Sequence, residues 1–202
     1  MDFEKTLIII KHDGVARGIM GKIISRFENA GLKLVGLEFI QSTDDLGQAH
    51  YPDSNDWLET VGNRTLTDYE ERGRDAKEEF GTNDPIEIGK AVKGWLVEYL
   101  AQGPVLAMVW EGPEAVKIGR KLVGGTIPAK ADPGTIRGDF SVDNVELANR
   151  HGRPFYNLIH ASGEVAEAEL EIELWFGGDE LFKYDTNSTK IMGQQGKVLK
   201  NN

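Results

Sequence analysis

The chain contains no cysteine, which excludes disulfides, thiolate metal sites and thiol nucleophiles. No apolar run approaches the ~18 residues of a membrane-crossing helix. The start, Met1-Asp2-Phe3-Glu4-Lys5, has neither the basic flank nor the long apolar stretch of a secretory signal. A cytoplasmic protein without membrane association is therefore expected. Basic residues are in deficit: 23 Lys and Arg against 33 Asp and Glu give a net charge of −10, which disfavours nonspecific grip on nucleic acid. Any anion site must then be a local concentration of donors. Also missing are a Gly-rich dinucleotide fingerprint, a GxxxxGKS/T loop and an internal repeat, so the commonest nucleotide-binding folds find no support. What is present is 202 residues, enough to bury a core in a single domain.

Residues 6–10 form a β-branched and aliphatic run that predicts a buried strand, with a tight turn at Lys11-His12-Asp13-Gly14. Ile19, Ile23, Phe27 and Ala30 then repeat at helical spacing, and Gly31 follows as a residue able to take a left-handed conformation. Residues 32–40 predict a second strand and residues 44–50 a short helix ending at Tyr51-Pro52. Residues 62–83 crowd charges with few apolar partners and read as a solvated helix or surface excursion. Asp84-Pro85-Ile86-Glu87 carries a helix-start pattern, with a capping Asp, proline in the first turn and Glu three residues after the cap. Gly103-Pro104 ends that helix, residues 105–110 predict a strand covered on both faces, and Gly112-Pro113 opens another helix. Leu158-Ile159 predicts a fourth strand before an acidic helix over 164–176.

Four strands and two crossover helices fit an α+β, ferredoxin-like βαββαβ sandwich: a four-stranded antiparallel sheet with helices packed on it, plus inserted surface segments. A doubly wound parallel sheet is the competing assignment. The expected organisation is a single domain over 1–185, with a charged insertion at about 62–83, and a polar, extended tail over 186–202 that could lie on a neighbouring subunit.

In Asn157-Leu158-Ile159-His160-Ala161-Ser162 a histidine stands at a strand end beside a helix start, where an imidazole can meet phosphate as nucleophile, acid or base. Alone, such a histidine is more often structural. Lys11, Arg120, Thr126 and Arg137 strengthen it, because each sits at the end of an element and glycines accompany them at Gly14, Gly119, Gly124, Gly125, Gly134 and Gly138. Arginine supplies a planar fork for phosphate oxygens and lysine a movable point charge.

These pieces, with Ala49-His50-Tyr51, Met108-Val109-Trp110-Glu111-Gly112, Gly119-Arg120-Lys121-Leu122 and Pro133-Gly134-Thr135-Ile136-Arg137-Gly138-Asp139-Phe140, occur in family order. Through them the chain resembles the nucleoside diphosphate kinase family, in a long form with insertions. The resemblance implies ping-pong transfer of a γ-phosphoryl group through a phosphohistidine on His160, with Mg²⁺ brought by the nucleotide. It implies that ATP and other nucleoside tri- and diphosphates are the substrates, with broad base specificity. On that mapping Lys11, Tyr51, Arg120, Thr126, Arg137 and Asn157 contact the nucleotide, Ser162 and Glu171 orient the histidine, and Trp57 is the candidate platform for the base. It further implies a homo-oligomer, a hexamer or a tetramer built from dimers, and no specific nucleic-acid partner. The chain departs from the family pattern with His12 where proline is usual, Ala161 where glycine is usual, and extra length at 62–83 and 143–153. A noncatalytic nucleotide-sensing or nucleic-acid-binding module on the same sandwich, and a histidine phosphocarrier in a signalling relay, are the other readings.

Overall fold

The computed structural model describes residues 3–177 and 181–193. Along the chain run β1 (Glu4–Ile10), α1 (His12–Ala16), α2 (Met20–Asn29), β2 (Lys33–Gln41), α3 (Asp44–His50), α4 (Asn55–Glu71), α5 (Lys77–Phe80) and α6 (Pro85–Ala101). There follow β3 (Pro104–Gly112), α7 (Ala115–Val123), α8 (Ile136–Phe140), α9 (Val145–Arg150), β4 (Ile159–Ala161), α10 (Val165–Phe176) and α11 (Asn187–Gly193).

The sheet order is β2-β3-β1-β4, and every neighbouring pair is antiparallel. Since β1 and β2 both oppose β3, they run parallel to each other with β3 between them, which is the split β-α-β arrangement of a ferredoxin-like α+β fold. This excludes the doubly wound parallel sheet. The continuous apolar runs of β1 and β3 have a direct cause, because both faces of the sheet are covered. Ile8, Ile10, Met108 and Trp110 point toward Ile23 and Phe27 of α2, while Leu7, Ile9, Ala107 and Val109 point toward Ile172, Trp175 and Phe176 of α10. A fully buried side chain of this size contributes about 1.5–3 kcal/mol. Strand period two thus splits one sequence run between two cores.

Local chemistry explains the element starts. Asp84 Oδ1 accepts from the backbone N–H of Ile86 and of Glu87 at 2.9 and 3.0 Å, capping α6 as its sequence predicts. At residues 11–14 the structure differs from the expected turn, for α1 begins at His12, and Gly14 N and Val15 N donate back to Lys11 O. Lys11 is extended at φ −76° and ψ 168° without a proline behind it. The backbone restraint that proline would supply is provided here by the helix start.

The charged segment 62–83 also differs from a bare surface excursion. Its first half continues α4, which packs on α6, and Tyr69, Ala76 and Ile88 form a small core of their own. The two helix backbones nearly touch: a Cβ on Gly62 would lie 1.8 Å from Pro85 O, and one on Gly89 would lie 2.1 Å from Leu58 O. In the tail, residues 187–193 form α11 rather than extended chain, and residues 194–202 lie outside the described residues. Thr186 Oγ1 accepts from Thr189 N at 3.1 Å, a hydroxyl cap that competes well with extension. Just before it, Phe182 N donates to Val35 O at 2.8 Å and Tyr184 OH to Leu34 O at 2.6 Å, tying this stretch to the start of β2.

Candidate active site

β1 and β4 pair Ile9 with His160, so the histidine sits at the centre of the sheet's short strand, and Lys11 begins where β1 ends. Asn157 and His160 are brought to face the same space by an abrupt turn between them. Ile159 N donates to Asn157 O at 2.8 Å across Leu158, whose φ is +68°. This is a γ-turn with positive φ at a non-glycine residue, a conformation that costs on the order of 1–3 kcal/mol. Its surroundings hold it in place. Leu158 N donates to Asp13 Oδ2 at 3.2 Å and Leu158 O accepts from Lys11 N at 2.8 Å. Asn157 N donates to the Tyr99 hydroxyl at 3.0 Å, and that hydroxyl donates to Asp13 Oδ1 at 2.9 Å.

Three cations converge on the turn. Lys11 Nζ donates to Asn157 Oδ1 at 3.0 Å and lies 4.4 Å from the centre of the Tyr99 ring. Arg137, carried by α8, donates from Nε to Asn157 O at 3.1 Å, from Nη1 to Gly124 O at 3.0 Å and from Nη2 to Ile159 O. Arg120, near the end of α7, reaches Ala161 O at 3.4 Å. Thr126 contributes its carbonyl to Asn157 Nδ2 at 3.2 Å. Burial, then repulsion from Arg137, lowers the Lys11 ammonium to about 7. Arg137 is lowered to about 10, by burial and then by Arg120, and stays charged at neutral pH.

On the other side of His160 is a carboxylate. His160 Nε2 lies 2.8 Å from Glu171 Oε1, an approach that is close without being aligned as a hydrogen bond. Glu171 Oε2 accepts from the Ser162 hydroxyl at 2.6 Å, and Ser162 Oγ in turn accepts from Leu7 N at 3.1 Å. Burial raises the Glu171 carboxyl, opposed by His50 and by the Ser162 bond. Burial, then the positive charge of Lys11, lowers His160 to about 3, with Arg137 and Arg120 pushing the same way and Glu167 opposing. The imidazole is therefore neutral at physiological pH, with a lone pair to use.

All the residues singled out from the sequence except Ser162 line one cleft of about 820 Å³: Lys11, Tyr51, Trp57, Arg120, Thr126, Arg137, Asn157, His160 and Glu171. Ser162 stands behind, fully buried, holding Glu171. Tyr51 caps α3 and Trp57 lies one loop later, their ring centres 6.3 Å apart. Burial raises the Tyr51 hydroxyl, so it stays protonated at neutral pH.

Three contributors were not singled out. Asp13 and Tyr99 clamp the γ-turn, and His50 meets His160 edge to face with ring centres 4.5 Å apart. Trp175 Nε1 donates to His50 Nδ1 at 3.2 Å, which places the His50 proton on Nε2. Asp13 and His50 lie inside the motifs already quoted, but only the fold joins them to residues about a hundred positions away. His50, His160 and Glu171 are also the one grouping among the described residues with metal-ligand spacing. Two of its three donors are imidazoles, a set unlike the oxygen shell Mg²⁺ prefers.

The sequence matches the family model described as nucleoside diphosphate kinase over residues 4–58 and 87–181. It is 48% identical over 183 residues to a nucleoside diphosphate kinase of Pyrobaculum aerophilum, covering 91% of this chain and 100% of that protein. It is 42% identical over 181 residues to nucleoside diphosphate kinase A of Mus musculus, covering 90% of this chain and 91% of that protein. Among solved structures, the crystal structure of an NDP kinase from Pyrobaculum aerophilum superposes with a TM-score of 0.87 at 47% identity, covering 90% of this chain and 100% of that one. A transition-state mimic of nucleoside-diphosphate kinase from Borrelia burgdorferi, with bound vanadate and ADP, superposes with a TM-score of 0.74 at 33% identity, covering 94% of this chain and 96% of that one.

Proposed function

The chain belongs to the nucleoside diphosphate kinase family and is a nucleotide-binding phosphotransferase, and from that premise we propose that His160 carries a phosphoryl group from a nucleoside triphosphate to a nucleoside diphosphate. The observation that supports this most is a neutral histidine set between a carboxylate 2.8 Å away and the three cations Lys11, Arg120 and Arg137. With Nε2 facing Glu171, Nδ1 is the nitrogen left to attack phosphorus. In the first half-reaction the Nδ1–P bond forms, the bond from the γ-phosphorus to the β–γ bridging oxygen breaks, and the nucleoside diphosphate leaves with that electron pair. In the second, a β-phosphate oxygen of another diphosphate attacks the same phosphorus and the nitrogen recovers its lone pair.

Transfer of this kind is largely dissociative, so the protein's task is positioning and stabilising charge. Arg137 spends three of its five N–H donors on the backbone, which fixes its plane and leaves two for phosphate oxygens. Lys11 spends one donor on Asn157 Oδ1 and is itself part of the cleft lining. A phosphate arriving beside Lys11 opposes the desolvation that lowers it, so substrate restores the ammonium's charge. Glu171 offsets the positive charge that develops on the ring as Nδ1 bonds to phosphorus, and Ser162 keeps it aimed. Tyr51, Thr126 and Asn157 add neutral contacts to the nucleotide. Trp57 offers a face on which any base can stack, which is consistent with broad base specificity. Mg²⁺ would enter on the nucleotide's phosphates and neutralise part of their charge, held there through the same residues that hold the phosphates. No described helix is long and apolar enough to cross a membrane, and the proposed setting is cytoplasmic. The edge strand β2, with Leu37 and Phe39 exposed, is consistent with assembly into a homo-oligomer.

The test is to incubate the protein with Mg²⁺ and γ-labelled ATP, isolate it, and add GDP. An acid-labile, base-stable label is expected on the wild type, transferred to GTP on chase and missing from His160→Ala. A wild type that takes no label, or keeps it after GDP, would overturn the proposal.

A further inference from the structure

Residues 59–86 lie outside the family match, yet part of this segment forms a wall of the cleft. Trp57, Thr60, Val61 and Arg64 follow one another at i, i+3, i+4 and i+7, so they share a stripe of α4, and all four line the cleft that holds His160. The placement of that stripe is firm. The contact of Gly62 and Gly89 with the facing helix backbone leaves no room for a side chain, so α4 cannot slide on α6 without a clash. Neighbouring arginines of the charged run have partners: Arg72 pairs with Asp68 at 3.0 Å and Arg74 with Glu79 at 3.5 Å. Arg64 makes no hydrogen bond or ion pair among the described residues. It is a free planar donor beside a ligand cleft in a chain of net charge −10.

Its distance along the cleft says what it would meet. From His160 the aromatic series steps to His50, Tyr51 and Trp57, with ring centres 4.5, 4.8 and 6.3 Å apart in turn. Arg64 lies seven residues past Trp57 on the same helix, roughly 10 Å further along its axis. The phosphate end is already furnished with Lys11, Arg120 and Arg137, so a nucleotide with its phosphates there extends its base toward α4. We propose that Arg64 is a nucleobase ligand, its guanidinium donating to the acceptor edge of a purine that stacks near Trp57. The proposal rests on the reading of this cleft as a nucleotide site. The N7 and O6 acceptors of guanine match the arginine fork, adenine offers N7 alone on that edge, and cytosine lacks the pair. The segment outside the family match would then add a purine preference to a cleft that otherwise recognises phosphates.

The experiment is calorimetric titration of GDP and of CDP into the full-length, unphosphorylated protein and into Arg64→Ala. Arg64 is exposed and unpaired, so the variant should fold, and matching thermal melts check this. GDP should bind Arg64→Ala about fivefold to tenfold more weakly than wild type, the size of one lost hydrogen bond at a solvent-exposed site, while CDP changes by less than about twofold. Equal losses for GDP and CDP would assign Arg64 to the sugar or phosphates and overturn the proposal, as would no loss for either. Labelling of wild-type His160 by ATP scores the phosphotransfer reading separately, so failure of one is distinguishable from failure of the other.

Discussion

The end of α3 delivers a buried imidazole, and the middle of β4 a partly exposed one, to the same carboxylate. His50 Nδ1 is 3.7 Å and His160 Nε2 is 2.8 Å from Glu171 Oε1, and both rings are lowered to about 3 by burial. By neutrality and location the two would be equal candidates. They differ in what occupies their nitrogens. Trp175 donates to Nδ1 of His50, so that lone pair is used and the other nitrogen bears the proton. His160 turns one nitrogen to Glu171 and leaves the other for a ligand, beside Lys11 and the two arginines. An available lone pair next to cations, more than a low pKa, is what distinguishes a nucleophile from a structural histidine here.

The largest effect that would sharpen this contrast is expected from Glu171→Gln. The amide keeps the shape but not the charge that offsets the growing positive ring. Both half-reactions should slow by about 100-fold in single-turnover measurements, the scale of one lost electrostatic contact in a preorganised site. A change below twofold would place the carboxylate among structural groups, with no part in distinguishing His160 from His50.

A smaller effect is expected from pH. Lys11 is cationic below about 7 and neutral above it, whereas His160 remains neutral down to about 3. Since kcat/KM reports the free enzyme, it should fall as pH rises through about 7, by up to about tenfold per unit, with no acid limb from His160 near 6.5. In Lys11→Arg the basic limb should move out of range. An unmoved limb would mean that another group sets it.

The sheet was the most legible part of the sequence. The apolar runs at 6–10 and 105–110 predict buried strands, the second covered on both faces, and the structure pairs them at the centre of the sheet. Asp84 with Pro85, and Gly31, mark real helix boundaries because caps depend on residues a few positions apart. In the site, the order of the motifs led to the residues that line the cleft. What it could not show depends on long-range contact. The positive φ of Leu158 has no local cause, since it is Asp13 and Tyr99, from distant parts of the chain, that hold the turn. Likewise the charges of 62–83 concealed a helix crossing set by Gly62 and Gly89, whose role appears only when the facing backbone is present. His50 shows the same limit, because nothing near it in sequence indicates that Trp175 occupies its nitrogen.

The most direct test of the account is to phosphorylate the protein with ATP and locate the phosphate by ¹H–³¹P correlation NMR, which separates both the two histidines and the two ring nitrogens. A single phosphoryl group on Nδ1 of His160 is the predicted result. Phosphate on Nε2 of His160, or on His50, would contradict it.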